Sequence, residues 1–317
     1  MDRVGMKIFS GTANLPLAKE IADYMGVKLG DMEIGHFVDG EISVKINETV
    51  RGRDVFLIQP TSYPVNEHLM EALIIADALK RASVNKINLV MPYYGYARQD
   101  RKTAGREPIT AKLVADLLTT AGVDRVITVD LHAGQIQGYF DIPVDHLKGA
   151  NLLADYFKPL VGQDVEDWCV VSPDLGGVTR ARRFSHLLGL PIAILEKFRP
   201  RPNESVVENI IGDVKDKHCI IIDDLIDTAG TITNAVEYLK NHGGAKDVYI
   251  AASHAVLSGP ACKRIEQSQV IKCVVTNSIL LPGDKRNGKI EVLSIAPLLA
   301  EAMRRIFNFE SVSGLFS

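Results

Sequence analysis

Asp223 and Asp224 stand side by side at the end of an apolar run, 219–222. Two residues later come Asp227, Thr228, Ala229, Gly230 and Thr231. The run reads as a buried parallel strand. A helical pattern then starts at Ile232 and continues through Ala235, Val236 and Leu239. A loop between a strand and a helix N-terminus can aim backbone N–H groups and two hydroxyls at an anion, and the helix dipole favours negative charge there. Gly230 is expected to supply a positive φ and close backbone approach. The carboxylates repel a phosphate, so they suit hydroxyl groups, or a metal, at the other end of the ligand. A phosphate at one end and a polyol at the other describes a sugar phosphate.

This loop resembles the phosphoribosyl-binding loop of the phosphoribosyltransferase fold. The alternative is an ordinary strand-to-helix connection in which Asp and Thr cap the helix. Two adjacent acids followed by Asp-Thr-Ala-Gly-Thr form a much rarer pattern than a cap, which favours the site.

Other groups could complete the chemistry. His132 follows a strand-like run in Asp130-Leu131-His132, and Asp174 holds the corresponding place in Ser172-Pro173-Asp174. One imidazole and one carboxylate, completed by water and phosphate oxygens, suit Mg²⁺; alone, each is also an ordinary polar residue. The segment 93–107 carries Tyr93, Tyr94 and Tyr96, then Arg98, Gln99, Arg101, Lys102 and Arg106, with Gly105 as a hinge. A flap over a polyphosphate explains that mix, with aromatic surface for a base and cations for phosphates; a solvated charged loop is the plain alternative. Lys197 and Arg199 are two residues apart in an extended segment and share a face. There they would stabilise charge on a transferring group, unless the segment is a surface edge whose prolines block pairing. Phe37, Asp39, Gly40 and Glu41 form a turn with an aromatic ring and two carboxylates, and Asp-Gly is a hairpin signature. No GxxxxGK[ST] and no protein-kinase signature occurs.

The elements that must position these groups alternate along the chain. Strands are expected at 55–59, 87–91, 126–129, 169–172, 192–195, 219–222, 248–252 and 273–276. Helices are expected at 15–25, 65–81, 109–121, 177–188, 231–242 and 296–307. Such alternation implies an α/β fold with mainly parallel, doubly wound sheets. The stretch from 54 through the helix to 90 matches the stretch from 218 to 250, and 126–134 echoes 169–177. Two related domains, 1–149 and 150–317, are the economical reading. Only the second keeps the acidic loop; the first has Gln59-Pro60-Thr61-Ser62-Tyr63-Pro64 instead.

Composition bounds the rest. The chain has 317 residues, 46% hydrophobic and 24% charged, with a net charge of −3. That is a globular composition without the basic field of a nucleic-acid binder. No apolar stretch approaches the ~18 residues that span a bilayer, and 1–10 lack a signal-peptide core. The cysteines Cys169, Cys219, Cys262 and Cys273 are scattered without CxxC, which fits a cytoplasmic protein with neither disulfides nor zinc.

Taken together, the chain resembles the ribose-phosphate diphosphokinase (phosphoribosyl pyrophosphate synthetase) family of the class I bacterial type, dependent on Mg²⁺ and activated by phosphate. The resemblance runs along essentially the whole chain. It rests on 37–41, Tyr96-Ala97-Arg98-Gln99-Asp100, Asp130-Leu131-His132, Gln135-Ile136-Gln137-Gly138, Ser172-Pro173-Asp174, 223–231 and 310–313. It implies two phosphoribosyltransferase-like domains and transfer of the β,γ-diphosphoryl group of ATP to the 1-hydroxyl of ribose 5-phosphate, giving phosphoribosyl pyrophosphate and AMP.

By the same resemblance, Phe37, Asp39, Gly40 and Glu41 would hold adenine, from a neighbouring subunit, and Arg98 and Gln99 would bind ATP. His132 and Asp174 would sit at Mg²⁺. Lys197 and Arg199 would be catalytic, Arg199 also touching ribose 5-phosphate. Asp223 and Asp224 would face the ribose, and Asp227, Thr228, Ala229, Gly230 and Thr231 would cradle its 5-phosphate. Homohexamers, with phosphate and ADP as regulators, are implied, and neither nucleic acid nor membrane is a partner. The chain departs from the family pattern at Phe198, where many members have Arg, at Ala104, where some carry a basic residue, and at Gly314, where Tyr is common. A phosphoribosyltransferase would explain 223–231 equally well, and a non-catalytic regulatory relative is the other alternative.

Overall fold

The computed structural model describes residues 5–201, 204–285 and 288–315, with the backbone alone at 197–201, 204–208 and Asp284. The chain divides into two compact units. One runs to Lys148 and takes back Ser278–Leu280 and the chain from Ser294; the other holds Gly149–Asn277 and Leu281–Leu293.

In the first unit β1 (Met6–Ser10) leads to α1 (Leu15–Met25), then to the hairpin strands β2 (Met32–His36) and β3 (Ile42–Ile46). There follow β4 (Asp54–Ile58), α2 (Val65–Arg81), β5 (Lys86–Val90), α3 (Thr110–Ala121), β6 (Arg125–Val129) and β7 (Val144–Leu147). The order β1-β4-β5-β6-β7 makes a five-stranded sheet, parallel throughout, without a reversal. Val55, Phe56, Leu57 and Ile58 are all fully buried, as a strand covered on both faces requires. α1 is set at one end by Asn14, whose side chain accepts from Leu17 N–H at 3.3 Å, and ended by left-handed Gly26.

In the second unit come α4 (Ala150–Val161), β8 (Trp168–Ser172), α5 (Val178–Leu188), β9 (Ile192–Arg201), β10 (Glu204–Ile211) and β11 (His218–Ile226). Then follow α6 (Gly230–Asn241), β12 (Asp247–Ala255), α7 (Ala261–Gln267), β13 (Cys273–Thr276) and β14 (Ile290–Leu293). The seven-stranded order is β10-β9-β8-β11-β12-β13-β14. All neighbours are parallel except the β9–β10 pair. Phe157 on α4 is fully buried and meets the rings of Phe184 and Tyr249 edge-on. Cys169 and Cys219 are fully buried opposite each other on β8 and β11, Sγ to Sγ 3.7 Å, as small apolar fillers.

The structure departs from the expected outline in three ways. The second half is not continuous, because α8 (Ala296–Phe307) packs against α1 in the first unit. The strand expected at 192–195 runs on to Arg201 and pairs with β10, so Pro200 ends no pairing. The internal repeat is partial. β4–α2–β5 and β11–α6–β12 each place successive strands side by side, but β6 lies beyond β5 while β8 lies on the other side of β11.

Candidate functional site

In the second unit the strand order reverses between β8 and β11: the chain passes from β8 outward to β9 and β10, then returns to β11. Ligands of open α/β sheets bind at such a point, outside the carboxyl ends of the strands. Ser172 ends β8, and Asp223 and Asp224 lie near the end of β11. The sheet topology therefore puts the acidic pair and the Asp174 turn at the two lips of one crevice. The first unit has no such reversal, and its counterpart turn is filled by protein. Gln59 accepts from Ala13 N–H at 3.2 Å and donates to Glu71 at 2.7 Å, while Gly95 N–H donates to Thr61 Oγ1 at 2.7 Å.

Asp224 is buried and Asp223 half-buried. Arg180, on α5, spans both: Nη1 donates to Asp223 Oδ1 at 2.8 Å, and Nη2 lies 3.1 Å from Asp224 Oδ1. Burial, and then the neighbouring Asp224 charge, push the Asp223 carboxyl up to about 7, with Arg180 opposing the shift. Arg180 carries no motif in the sequence; only the helix register of α5 and its meeting with β11 reveal it.

The loop that follows has an unusual hydrogen-bond pattern. Five successive carbonyls accept from the body of the unit. Ile226 takes Leu257 N–H at 2.9 Å, and Asp227 takes Ser258 N–H at 3.0 Å. Thr228 takes Arg264 Nη1 at 2.9 Å. Ala229 takes Thr233 N–H at 3.0 Å and its hydroxyl at 2.8 Å, and that hydroxyl also lies 3.1 Å from the Gly230 carbonyl. With the carbonyls turned inward, the N–H groups of the turn and of the first helical residues are the ones available to an anion. The N-cap residue of α6 is Ala229, whose side chain makes no capping hydrogen bond. The left-handed residue is Ala229, at φ 60°, and not Gly230. A Cβ at Gly230 would stand 3.2 Å from Arg264 Nη1, a tight approach to the tip of that side chain. The loop also borders a cleft of about 480 Å³ lined by Thr228, Gly230, Thr231, Asn234, Glu237 and Arg264, among others, but not by Asp223, Asp224 or Asp227. That cleft follows the flank of α6 and α7. The crevice at the strand ends, where the carboxylates stand, is the better place for the polyol end of a ligand.

Asp174 is half-buried, and its Oδ1 accepts from Gly177 N–H at 2.9 Å just before α5. His132, in the first unit, is exposed after the tip of β6. Its loop is held by Leu131 N–H donating to the buried His146 Nε2 at 2.8 Å, and Asp130 sits at φ 37°. Among the described residues no three His, Cys, Asp or Glu side chains converge as a ligand set. His132 belongs to the first unit and Asp174 to the second.

The segment 93–107 differs from a simple flap. Tyr93 and Tyr94 are buried; the Tyr94 hydroxyl donates to the Ala111 carbonyl at 2.8 Å, and its ring meets Phe140 edge-on. These aromatics anchor the segment and offer no base-stacking surface. Arg98 and Gln99 are exposed at its outer side, where the Gln99 side chain is bonded by Thr110 Oγ1. Arg106, at φ 67°, makes the turn assigned to Gly105. Glu107 ties the tip by accepting from Thr103 and Ala104 N–H at 2.7 and 2.9 Å. Phe37, Asp39, Gly40 and Glu41 form the tip of the β2–β3 hairpin, with Gly40 at φ 94° and Asp39 Oδ1 accepting from Glu41 N–H at 3.1 Å. Phe37 projects with 61% of its surface exposed. Lys197 and Arg199 lie on β9, and their side chains are outside the described residues.

Comparison with known proteins agrees along the full chain. Residues 6–122 match the N-terminal domain of ribose phosphate pyrophosphokinase, and residues 179–317 match the phosphoribosyl synthetase-associated domain. A ribose-phosphate pyrophosphokinase of Clostridium tetani is 60% identical over 315 residues, 99% of this chain and 98% of that protein. One of Bacillus caldolyticus is 59% identical over 311 residues, 98% of each. The crystal structure of phosphoribosylpyrophosphate synthetase from Mycobacterium smegmatis superposes with a TM-score of 0.91 at 46% identity, covering 96% of this chain and 99% of that one. On these grounds the chain belongs to the ribose-phosphate pyrophosphokinase family.

Proposed function

We infer that this chain catalyses its family's reaction: ATP and ribose 5-phosphate give phosphoribosyl pyrophosphate and AMP. The sugar 1-hydroxyl oxygen attacks the β-phosphorus. The bond from that phosphorus to the α,β-bridging oxygen breaks, AMP leaves with the bridging oxygen, and the hydroxyl proton is lost. The observation that carries the reading is the loop from Asp227 to Thr231, with carbonyls inward and helix uncapped, next to Asp223 and Asp224 at the strand reversal. That arrangement separates a phosphate end from a hydroxyl end, and fixes the sugar by both.

The division of labour follows. Asp227, Thr228, Ala229, Gly230 and Thr231 bind the 5-phosphate, and Asp223 and Asp224 accept from ribose hydroxyls. Arg98, Gln99 and the hairpin residues Phe37, Asp39, Gly40 and Glu41 bind ATP. The exposed Phe37 ring suits adenine of a neighbouring subunit in a homohexamer. His132 and Asp174 would hold Mg²⁺, and such a cation would supply charge neutralisation for the triphosphate. Lys197 and Arg199 stabilise charge on the group in transit. Phosphate and ADP act as regulators.

A phosphoribosyltransferase would use the same loop. What favours the pyrophosphokinase is the first unit, whose residues 6–122 match the corresponding domain of that family. The deciding experiment mixes the protein with ATP, ribose 5-phosphate and Mg²⁺ and identifies the nucleotide product. AMP equal to the sugar consumed is expected; ADP, or no sugar-dependent product, would overturn the reading.

A further inference from the structure

Arg264 has no part in the roles assigned so far, yet its guanidinium is built into the phosphate loop from outside. It lies on α7, 36 residues beyond Thr228, and Nη1 donates to the Thr228 carbonyl at 2.9 Å. The same nitrogen would stand 3.2 Å from a Cβ at Gly230. Of the donors that hold the carbonyls of the loop, those on Ile226 and Asp227 are backbone N–H groups of the 257–258 turn, and those on Ala229 and Gly230 belong to Thr233 within α6 itself. Thr228 is held by a side chain from a separate helix. Thr228 is an exposed residue.

We propose that Arg264 is a positioning residue for sugar-phosphate binding. It keeps the Thr228 carbonyl turned inward, so that the following N–H groups stay aimed at the 5-phosphate, and places a cation behind the anion site. A Cβ at Gly230 would press on that guanidinium, which would have to give by a few tenths of an ångström. This rests on the reading of 227–231 as the phosphate loop. A carbonyl released to swing outward would face the phosphate as a partial negative charge and cost both geometry and attraction.

The test is steady-state kinetics of the full chain with four variants. Thr231→Ala, on the ligand side, tests the loop itself. Arg264→Ala is expected to raise the KM for ribose 5-phosphate roughly three- to tenfold, below the range for a buried charged hydrogen bond because Arg264 is at the surface. The KM for ATP, kcat and Tm should stay near wild type. Arg264→Lys, which keeps one donor and the charge, should recover part of the loss. Gly230→Ala should displace the guanidinium, so its effect and that of Arg264→Ala should combine to less than their product.

An unchanged KM for ribose 5-phosphate in Arg264→Ala, equal losses for both substrates, or effects that multiply would overturn the proposal. If Thr231→Ala raises that KM and Arg264→Ala does not, the loop reading stands and the Arg264 role alone falls. If Thr231→Ala leaves it unmoved, both fall.

Discussion

Arg180 donates to Asp223 at 2.8 Å across the crevice between α5 and the end of β11, and its other terminal nitrogen reaches Asp224. Two adjacent carboxylates that are to accept from sugar hydroxyls must be ionised while partly buried, and Arg180 is the cation that offsets this. Replacing it by Met removes the largest influence opposing the upward shift of Asp223 caused by burial and Asp224. The acidic limb of kcat/KM for ribose 5-phosphate should therefore move to higher pH. A limb that stays in place in the pH profile would show that Asp223 does not act there in its ionised form.

The same shift has a stability consequence. The folded chain holds the Asp223 proton up to about 7, well above the ordinary 3.8. Its contribution to stability is thus complete below the ordinary value and is lost as pH rises through 7. Without substrate, the Tm of Asp223→Asn relative to wild type should rise from pH 4 to pH 8. A difference constant across that range would contradict the assigned shift.

Sugar binding should depend on the loop. Thr231→Ala should raise the KM for ribose 5-phosphate far more than that for ATP, since a hydrogen bond to a charged ligand contributes about 1.5–3 kcal/mol. Equal weakening of both substrates, measured in the same assay, would count against the assignment.

Turnover should be strictly metal-dependent, because the triphosphate needs its charge neutralised. EDTA should abolish AMP formation, and His132→Ala should need more Mg²⁺ for half-maximal rate. An unchanged Mg²⁺ titration would return His132 to an ordinary exposed polar residue.

Much of this was legible in the residues. The run at 219–222 and the helix from Ile232 specify strand and helix by composition and period alone, and the acids and hydroxyls between them carry their chemistry on their faces. What escaped depends on tertiary meeting. Arg180 and Arg264 are two arginines among many until α5 and α7 bring them to Asp223 and Thr228. Ala229, not Gly230, is the left-handed residue of the loop, which composition does not reveal. Tyr94 reads as a surface aromatic in a charged loop, yet its hydroxyl is satisfied within the core, which lets the ring bury. The return of α8 to the first unit follows from its fit to α1, a relation between segments at opposite ends of the chain.

Phe198 lies between Lys197 and Arg199 on β9, paired with Val206 of β10. In the sequence, the period of two of an extended segment predicts it on the opposite face from Lys197 and Arg199. Phe198→Arg, the residue many family members carry, should therefore leave kcat within a few-fold of wild type, whereas truncating either outer cation should not. The central claim is that a diphosphoryl group crosses to the sugar under fixed cations, which act chiefly in the transition state. The most direct measurement is steady-state AMP formation by Lys197→Ala at saturating ATP, ribose 5-phosphate and Mg²⁺. The account predicts a kcat lower by orders of magnitude with modest change in either KM. A kcat near wild type would contradict it and place the catalytic charge elsewhere.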